Sequence, residues 1–293
     1  MLNKFHVFIG IFFAASINAK SLPTKEQLES NEEYRLIKEH KMIPCVFIDK
    51  NTDYALQNKC FHISKRLFEI TKNKTFLAGV AKGYYKGYGV DQNVKKGLKL
   101  YEEIAHSDCA VAVDVQDILG IYYGAKDSPV LDKVKEEYWV KKAAKNGSEL
   151  SQYSYARMLK NQGKLNDAIY WYKKAAQNGS LSAKYKLAAL FREGYPMQIN
   201  RRQAYQLLHE AAEQGYAPAF HELSFFYDED GDKEKTEFWH AKFINSDVFK
   251  KMQSGMNPDE ALIEVFKEQK KKEYIAEVQK EMEEIEKQSS KQK

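Results

Sequence analysis

The residues most able to carry out chemistry are scattered along the chain rather than gathered into a motif. The seven histidines show no His-x-x-x-His or His-Glu-x-x-His spacing, and no two cysteines form a Cys-x-x-Cys pair. The chain also lacks a phosphate-binding Gly-rich loop and a Gly-x-Ser-x-Gly nucleophile turn. The sequence therefore predicts no catalytic residues, no metal ligands and no cofactor.

Two features could still suggest chemistry. The acidic run at 228–232 looks like part of a calcium loop, but such a loop needs a last acidic ligand where Phe238 and Trp239 lie instead. Cys109 could act as a nucleophile only beside a histidine and an acidic partner, and no recognisable set accompanies it. We therefore interpret the acidic run as a turn of the repeat and Cys109 as a buried structural thiol.

Composition restricts the class of protein to which the chain can belong. Its 293 residues are 43% hydrophobic, which excludes overall disorder, and only 6 Pro and 15 Gly leave little room for a turn-rich β fold. Its 46 basic and 41 acidic residues give a net charge of +5, with both signs spread along the chain. This argues against a protein held on nucleic acid mainly by charge, so we expect no nucleic-acid partner.

The N-terminus has the pattern of a secretory signal peptide. A short basic start at 1–4 precedes a nearly unbroken apolar stretch, Phe5–Ile17, and Ala19 offers a small residue for cleavage. The stretch is too short to span a bilayer, and the residue directly after the cleavage site is not a cysteine. We therefore expect export to the periplasm or medium, without a lipid anchor or stable membrane insertion. A retained N-terminal anchor is the alternative.

Export makes disulfides possible, and the three cysteines leave one thiol over. Cys45 and Cys60 flank a turn-like segment at 49–53, so we predict a bond between them and a free Cys109. Three pairings remain open, since connectivity cannot be read from a sequence alone.

An internal repeat occupies most of the chain. Its first half contains Leu-Gly-x-x-Tyr or a variant, as in 119–123, 155–159, 187–191 and 223–227. Its second half contains Trp or Leu and then Ala-Ala at helical spacing, followed by Gly, as in 139–147, 171–179 and 207–215. These spacings predict two helices per unit, and the Gly after Ala-Ala predicts a helix end. One unit cannot bury its apolar faces alone, so neighbouring units must stack.

The pattern resembles the Sel-1-like repeat, a branch of the tetratricopeptide superfamily. Leu-Gly-x-x-Tyr-x-x-Gly-x-Gly-Val and Lys-Ala-x-x-Trp-Tyr-x-Lys-Ala-Ala-x-x-Gly carry the resemblance. The third unit departs from it with Asn-Gln-Gly at 161–163, and the fifth with the acidic run at 228–232. The resemblance implies an all-α, right-handed α/α solenoid of about five helix pairs with helical caps at both ends. We expect Trp139 and Trp171 to be buried in it.

The domain organisation follows from the extent of the repeats. We expect a signal peptide at 1–19, an N-terminal helical cap at 20–75, the solenoid at 76–246 and a charged helical extension at 247–293. The extension has a single heptad-like stripe, whereas a coiled coil needs three or more heptads. A capping helix with one face docked on the solenoid is therefore favoured over a dimerising one.

A concave groove is the expected binding surface, because first helices line it in tetratricopeptide-like proteins. Its variable positions combine aromatic residues with charges, as protein-binding hot spots do. The candidate partner-binding residues are Lys82, Tyr85, Lys86, Tyr153, Arg157, Lys160, Tyr185, Arg192, Glu193, His221, Phe225, Asp228 and Glu229. The tyrosines could instead pack between neighbouring helices.

These features favour an exported, non-enzymatic protein that binds another protein. The resemblance implies one concrete version, a periplasmic immunity protein that neutralises a toxic effector such as a type VI secretion phospholipase. The alternatives are a cell-envelope scaffold or host-interaction factor, and a weakly penicillin-binding, β-lactamase-like repeat protein. The repeat pattern identifies no catalytic serine for the last of these.

Overall fold

A computed structural model describes residues 52–194, 198–258 and 260–265, with single positions within 31–36 and 268–283. Over these residues the chain is all-helical, and helices consecutive in sequence pack side by side as a solenoid. The predicted fold class is thereby confirmed. The predicted signal peptide and Cys45 lie outside the described residues. Among the helices that the structure describes, none has both the length and the apolar character to cross a bilayer.

The helices follow one another in pairs after a single leading helix. The leading helix is α1, Tyr54–Thr71. The pairs are α2 (Lys74–Lys86) with α3 (Val94–Ala105), α4 (Ala112–Gly124) with α5 (Lys133–Lys145), α6 (Glu149–Asn161) with α7 (Leu165–Gln177), α8 (Leu181–Glu193) with α9 (Arg201–Glu213), and α10 (Ala217–Glu229) with α11 (Lys233–Ile244). A short helix, α12 (Asp247–Gln253), follows them. We call the pairs units one to five, and the two helices of each unit A and B.

Side-chain caps and glycines define where the helices begin and end. The Asn93 and Asn200 side chains accept from backbone N–H groups in the first turns of α3 and α9. Gly147, Gly179 and Gly215 follow the Ala-Ala segments with φ of 95°, 101° and 81°. This left-handed conformation costs glycine little, so these residues end the B helices where the sequence predicted.

Small residues of the B helices lie at the centre of the packing. Ala143, Ala175 and Ala211 are each 0% exposed. Larger side chains from the A helices complete the core, among them the fully buried Leu119 and Leu223. Because each buried cluster draws residues from adjacent units, a unit depends on its neighbours for burial.

Buried amides link consecutive units. Gln116 donates to a carbonyl at the end of the B helix before it and accepts from Asn146 at 2.9 Å. Gln152 makes the same pair of bonds one unit later, accepting from Asn178 at 2.8 Å. These bonds satisfy polar groups that would otherwise be buried without partners, and they set the alignment of one unit on the next.

Charged groups take part at further joints. Lys184, at the position that corresponds to Gln152, donates to Glu210 at 2.8 Å, so an ion pair replaces the amide pair there. Asp117 accepts from the Ser148 hydroxyl at 2.7 Å, and its burial raises the pKa of its carboxyl above the ordinary value.

Burial of the predicted core tryptophans is confirmed for Trp139 and wrong for Trp171. Trp139 is 3% exposed, whereas Trp171 is only partly buried and packs edge-on to Tyr155. The buried stripe of α7 passes instead through the adjacent Tyr172, which is 2% exposed. Val140 and Ala143, which correspond to Tyr172 and Ala175 in the repeat, are buried as well, so the two helices share these core positions and differ at the tryptophan.

This difference predicts unequal effects on stability. Trp139→Ala should lower the free energy of unfolding by about 3–5 kcal/mol, because it leaves a cavity in the core. Trp171→Ala should lower it by roughly 1–2 kcal/mol, since solvent already reaches the ring. Urea unfolding followed by circular dichroism measures both. Equal losses would contradict the assigned burial.

Candidate functional site

Three neighbouring A helices, α6, α8 and α10, form a concave surface with a pocket of about 210 Å³. The pocket is lined by Lys160, Tyr172, Tyr185, Lys186, Ala189, Leu190, Arg192, Glu193 and Glu222. Four of the predicted groove residues, Lys160, Tyr185, Arg192 and Glu193, thus meet at one place. We call the surface formed by Arg157, Lys160, Tyr185, Lys186, Arg192 and Glu222 the inner face.

An ion pair between two units crosses the inner face. The Arg192 guanidinium on α8 lies 2.5 Å from the Glu222 carboxylate on α10, and the Glu222 side chain is only 14% exposed. The guanidinium also lies 5.5 Å from the ring of Phe226. Arg192 therefore holds units four and five together, and its charge is already partly neutralised within the protein.

Two further cations of the inner face are exposed, and Lys186 is partly buried. Arg157 and Lys160 on α6 are exposed. The Lys186 ammonium lies 5.2 Å from the centre of the Tyr185 ring. Burial raises the pKa of Tyr172 to about 12 and raises that of Tyr185, so both phenols stay neutral at physiological pH. The surface thus combines fixed neutral aromatics with accessible positive charge.

Aromatic rings also support the floor of this surface. Tyr153, another predicted groove residue, is partly buried with its ring 5.7 Å from that of Tyr172. Tyr185 is likewise partly buried, 6.0 Å from the ring of Tyr216. These tyrosines pack between helices and are only partly exposed.

The predicted groove residues of unit one are arranged differently. Tyr85 is 3% exposed, and its ring stacks on that of Tyr122 at 3.8 Å. Its inclusion in a partner-binding groove is therefore wrong, because stacking between α2 and α4 removes it from the surface. Lys86 is exposed 5.1 Å above both rings, and Lys82 is partly buried.

Unit five places its predicted residues at the other end of the solenoid. Phe225 is 50% exposed, with the ring of the exposed His221 at 4.7 Å. Asp228 is exposed, whereas Glu229 accepts from Arg201 at 3.0 Å. The negative charge of these two residues is therefore partly neutralised.

Other side chains of the protein bind three of the four carboxylates in the acidic run at 228–232. Asp230 accepts from Arg201 and Tyr205, and Asp232 accepts from Lys235 at 2.7 Å. These hydrogen bonds hold the pKa of both carboxyls below the ordinary value. Within the described residues, no three His, Cys, Asp or Glu side chains are grouped so as to hold a metal ion.

Two of the three cysteines, Cys60 and Cys109, lie within the described residues. Cys109 has a free thiol and accepts from the Ser107 hydroxyl at 3.2 Å. Cys60 is buried in α1. Because Cys45 lies outside the described residues, the Cys45–Cys60 bond stays a prediction.

Sequence reasoning missed two residues of the inner face and one further residue that lines the pocket. Lys186 and Glu222 each directly precede the buried leucine that starts the repeat motif, a position that the predicted groove slots omitted. Repetition of a charge at this position in two units was the available signal. Tyr172 belongs to a B helix, and only the contact between helices brings it to the pocket.

The family model described as Sel1 repeat matches this chain four times. The matched residues are 76–108, 118–148, 150–180 and 181–216. They correspond to units one to four, whereas unit five has the same helix pair beyond the matched residues. No curated protein matches the chain significantly.

Solved structures with this fold are similar over most of the chain. A Sel1 repeat protein from Oxalobacter formigenes has a TM-score of 0.53 at 18% identity, covering 73% of this chain and 97% of its own. A protective antigen of uropathogenic Escherichia coli with an SLR fold has a TM-score of 0.57 at 20% identity, covering 80% of this chain. This chain spans about half of that antigen, 51%. At these identities the likeness shows the fold alone.

A third structure is more distant. An immunity protein from Pseudomonas aeruginosa has a TM-score of 0.43 at 15% identity, covering 72% of this chain and 81% of its own. At that TM-score it carries no argument about this chain.

Because Arg192 is in the ion pair with Glu222 and Arg157 is not, the two arginines of the inner face should contribute differently to stability. Arg192→Ala should lower the free energy of unfolding by about 1–3 kcal/mol, because the largely buried Glu222 carboxylate loses its partner. Arg157→Ala, at an exposed position, should change it by less than about 0.5 kcal/mol. Urea unfolding measures both. The exchanged pair Arg192→Glu/Glu222→Arg should recover part of the loss, and an Arg192→Ala variant as stable as Arg157→Ala would contradict the assignment.

Proposed function

Because the chain is a Sel1-like repeat protein, we propose that it binds a partner protein on its inner face. The observation that carries the proposal is the pocket between α6, α8 and α10, which is lined by the exposed Lys160, the partly buried Lys186 and the rings of Tyr172 and Tyr185. Arginine and tyrosine dominate protein-binding hot spots, and a rigid surface loses little entropy when it binds.

The charges of the inner face favour a partner with an acidic patch. Arg157, Lys160 and Lys186 contribute positive charge at units three and four, while Arg192 is neutralised by Glu222. Such complementarity raises the association rate and excludes partners of the wrong charge. Exposed Phe225 at unit five adds an apolar contact at one end of the surface.

The narrower hypothesis is an exported immunity protein that blocks a toxic effector by occlusion, without catalysis. It rests on the family resemblance and on the signal-like N-terminus. Expression of a toxin encoded beside this gene, with and without this chain, tests it directly. Protection from that toxin would support the hypothesis. An effector that kills equally in both cultures, or β-lactam hydrolysis by the purified chain, would support one of the alternatives.

A pair of equally exposed phenylalanines offers a matched test of the binding surface. Phe225 on α10 is 50% exposed and Phe238 on α11 is 52% exposed. A photo-crosslinking amino acid at position 225 should form an adduct with the partner, and the same residue at 238 should not. Mass spectrometry identifies the adduct, and the purified partner then serves as the binding probe.

Charge reversal then tests the inner face itself. Arg157→Glu/Lys160→Glu should weaken binding of that purified partner by about tenfold or more, because two accessible cations become repulsive. Lys145→Glu/Lys173→Glu, on exposed positions of the B helices, is the control and should bind normally. Calorimetry measures both affinities. Normal binding by the first variant would exclude the inner face.

A further inference from the structure

The B helices α5 and α7 present a second surface, on the side that does not pack against the A helices. Tyr138 and Tyr170 are 51% and 54% exposed there. Lysines lie one turn further along each helix, and all of them except Lys142 are exposed. We call the surface formed by Tyr138, Lys141, Lys145, Tyr170, Lys173 and Lys174 the outer face.

The pattern repeats between units. Tyr138 and Tyr170 occupy the same position in successive repeats, as do Lys141 and Lys173. Because equivalent positions of stacked units lie side by side, the two tyrosines and their lysines form one continuous band. Lys174 lies 6.0 Å from the Tyr170 ring, and Lys142 lies at the same distance from Tyr138.

Apolar groups extend this band. Val134, one turn before Tyr138 on α5, is 81% exposed. An open cleft of about 420 Å³ between α7, α8 and α9 borders the band at Lys173 and is lined in part by Leu187, Phe191 and Leu207. Exposed aliphatic and aromatic groups beside lysines mark a surface that contacts something apolar as well as something charged.

The charge of the outer face is positive. Asp167, at the start of α7, is the exposed acid nearest in sequence to Tyr170. On α5, Glu136 accepts from Lys133 at 2.7 Å, and Glu137 accepts from the Gln162 amide at 3.2 Å. The cations of the face therefore outnumber the carboxylates beside them.

We propose that the outer face adsorbs to the surface of an anionic phospholipid bilayer. Lysines attract anionic headgroups, and tyrosines favour the interface between headgroups and acyl chains. Val134 and the cleft would contact the apolar layer beneath. A nucleic acid would satisfy the lysines but leaves these aliphatic groups in water, so a bilayer is the better match. The inner face, on other helices, stays open for a protein partner.

A vesicle-binding assay tests the proposal. The protein is purified from a host that exports it, so that the assay uses the exported form. Vesicles of phosphatidylcholine alone are compared with vesicles containing phosphatidylglycerol in a sedimentation assay. We expect binding to the anionic vesicles that weakens as salt is added, because salt screens exposed charges.

Two variants locate the contact. Lys141→Glu/Lys145→Glu/Lys173→Glu/Lys174→Glu should lower the affinity for anionic vesicles by about a hundredfold or more. The control carries the same change of charge at other exposed positions, Lys126→Glu/Lys164→Glu/Arg202→Glu/Lys233→Glu, and should bind normally. Val134→Asp/Tyr138→Ser should weaken vesicle binding without altering the lysines.

The quadruple variant places negative charge in the last turns of α5 and α7, where cations stabilise helices. Thermal unfolding checks that it folds, and the corresponding Lys→Gln variant replaces it if it does not. The proposal would be overturned if the protein bound both kinds of vesicle equally and the quadruple variant bound them just as well. Tighter binding to single-stranded RNA than to anionic vesicles would also overturn it, in favour of a nucleic acid.

The outcome is separable from the test of the inner face. Reversal of the outer-face lysines should weaken vesicle binding and leave partner binding intact, whereas Arg157→Glu/Lys160→Glu should weaken partner binding and leave vesicle binding intact. If either variant lost vesicle binding and partner binding together, the two surfaces would not be independent.

Discussion

Close approach of consecutive helices at small side chains is the constraint on which this solenoid depends. A Cβ atom at Gly97 would lie 2.6 Å from the backbone nitrogen of Tyr85, and one at Gly120 would lie 2.8 Å from a Val140 methyl. Ala143 and Ala175 fill equally enclosed positions. Large rings such as Tyr101 and Tyr172 are buried in the core beside small residues. The buried amides then only have to align one unit on the next.

In this arrangement only the helix faces that pack against neighbouring helices need small or apolar residues. Residues on the concave side and on the far side of the B helices can vary without loss of core packing. The inner face uses that freedom for Arg157 and Lys160 around fixed rings, and the outer face for Tyr138 and Tyr170 beside lysines. Units also differ in how their two helices are joined, as the replacement of an amide pair by Lys184 and Glu210 within unit four illustrates.

The repeat period was sufficient to predict the fold, because small residues and stop glycines recur at positions that only stacked helix pairs satisfy. It could not predict details that depend on neighbours distant in sequence. Trp139 and Trp171 occupy the same motif position, yet one is buried and the other is not. Tyr85 stacks on a ring from the next unit, and Arg192 pairs with a carboxylate from the unit after its own. Four of the groove residues did meet in one pocket, since their slots follow directly from the repeat.

One comparison of stabilities tests the packing constraint most directly. Ala175 is 0% exposed between helices, whereas Ala241 on α11 is exposed. Ala175→Leu should lower the free energy of unfolding by about 1–3 kcal/mol or more, because the helices cannot separate without losing contacts along the solenoid. Ala241→Leu should leave it nearly unchanged. If urea unfolding finds Ala175→Leu as stable as Ala241→Leu, close approach at small residues does not hold the repeats together.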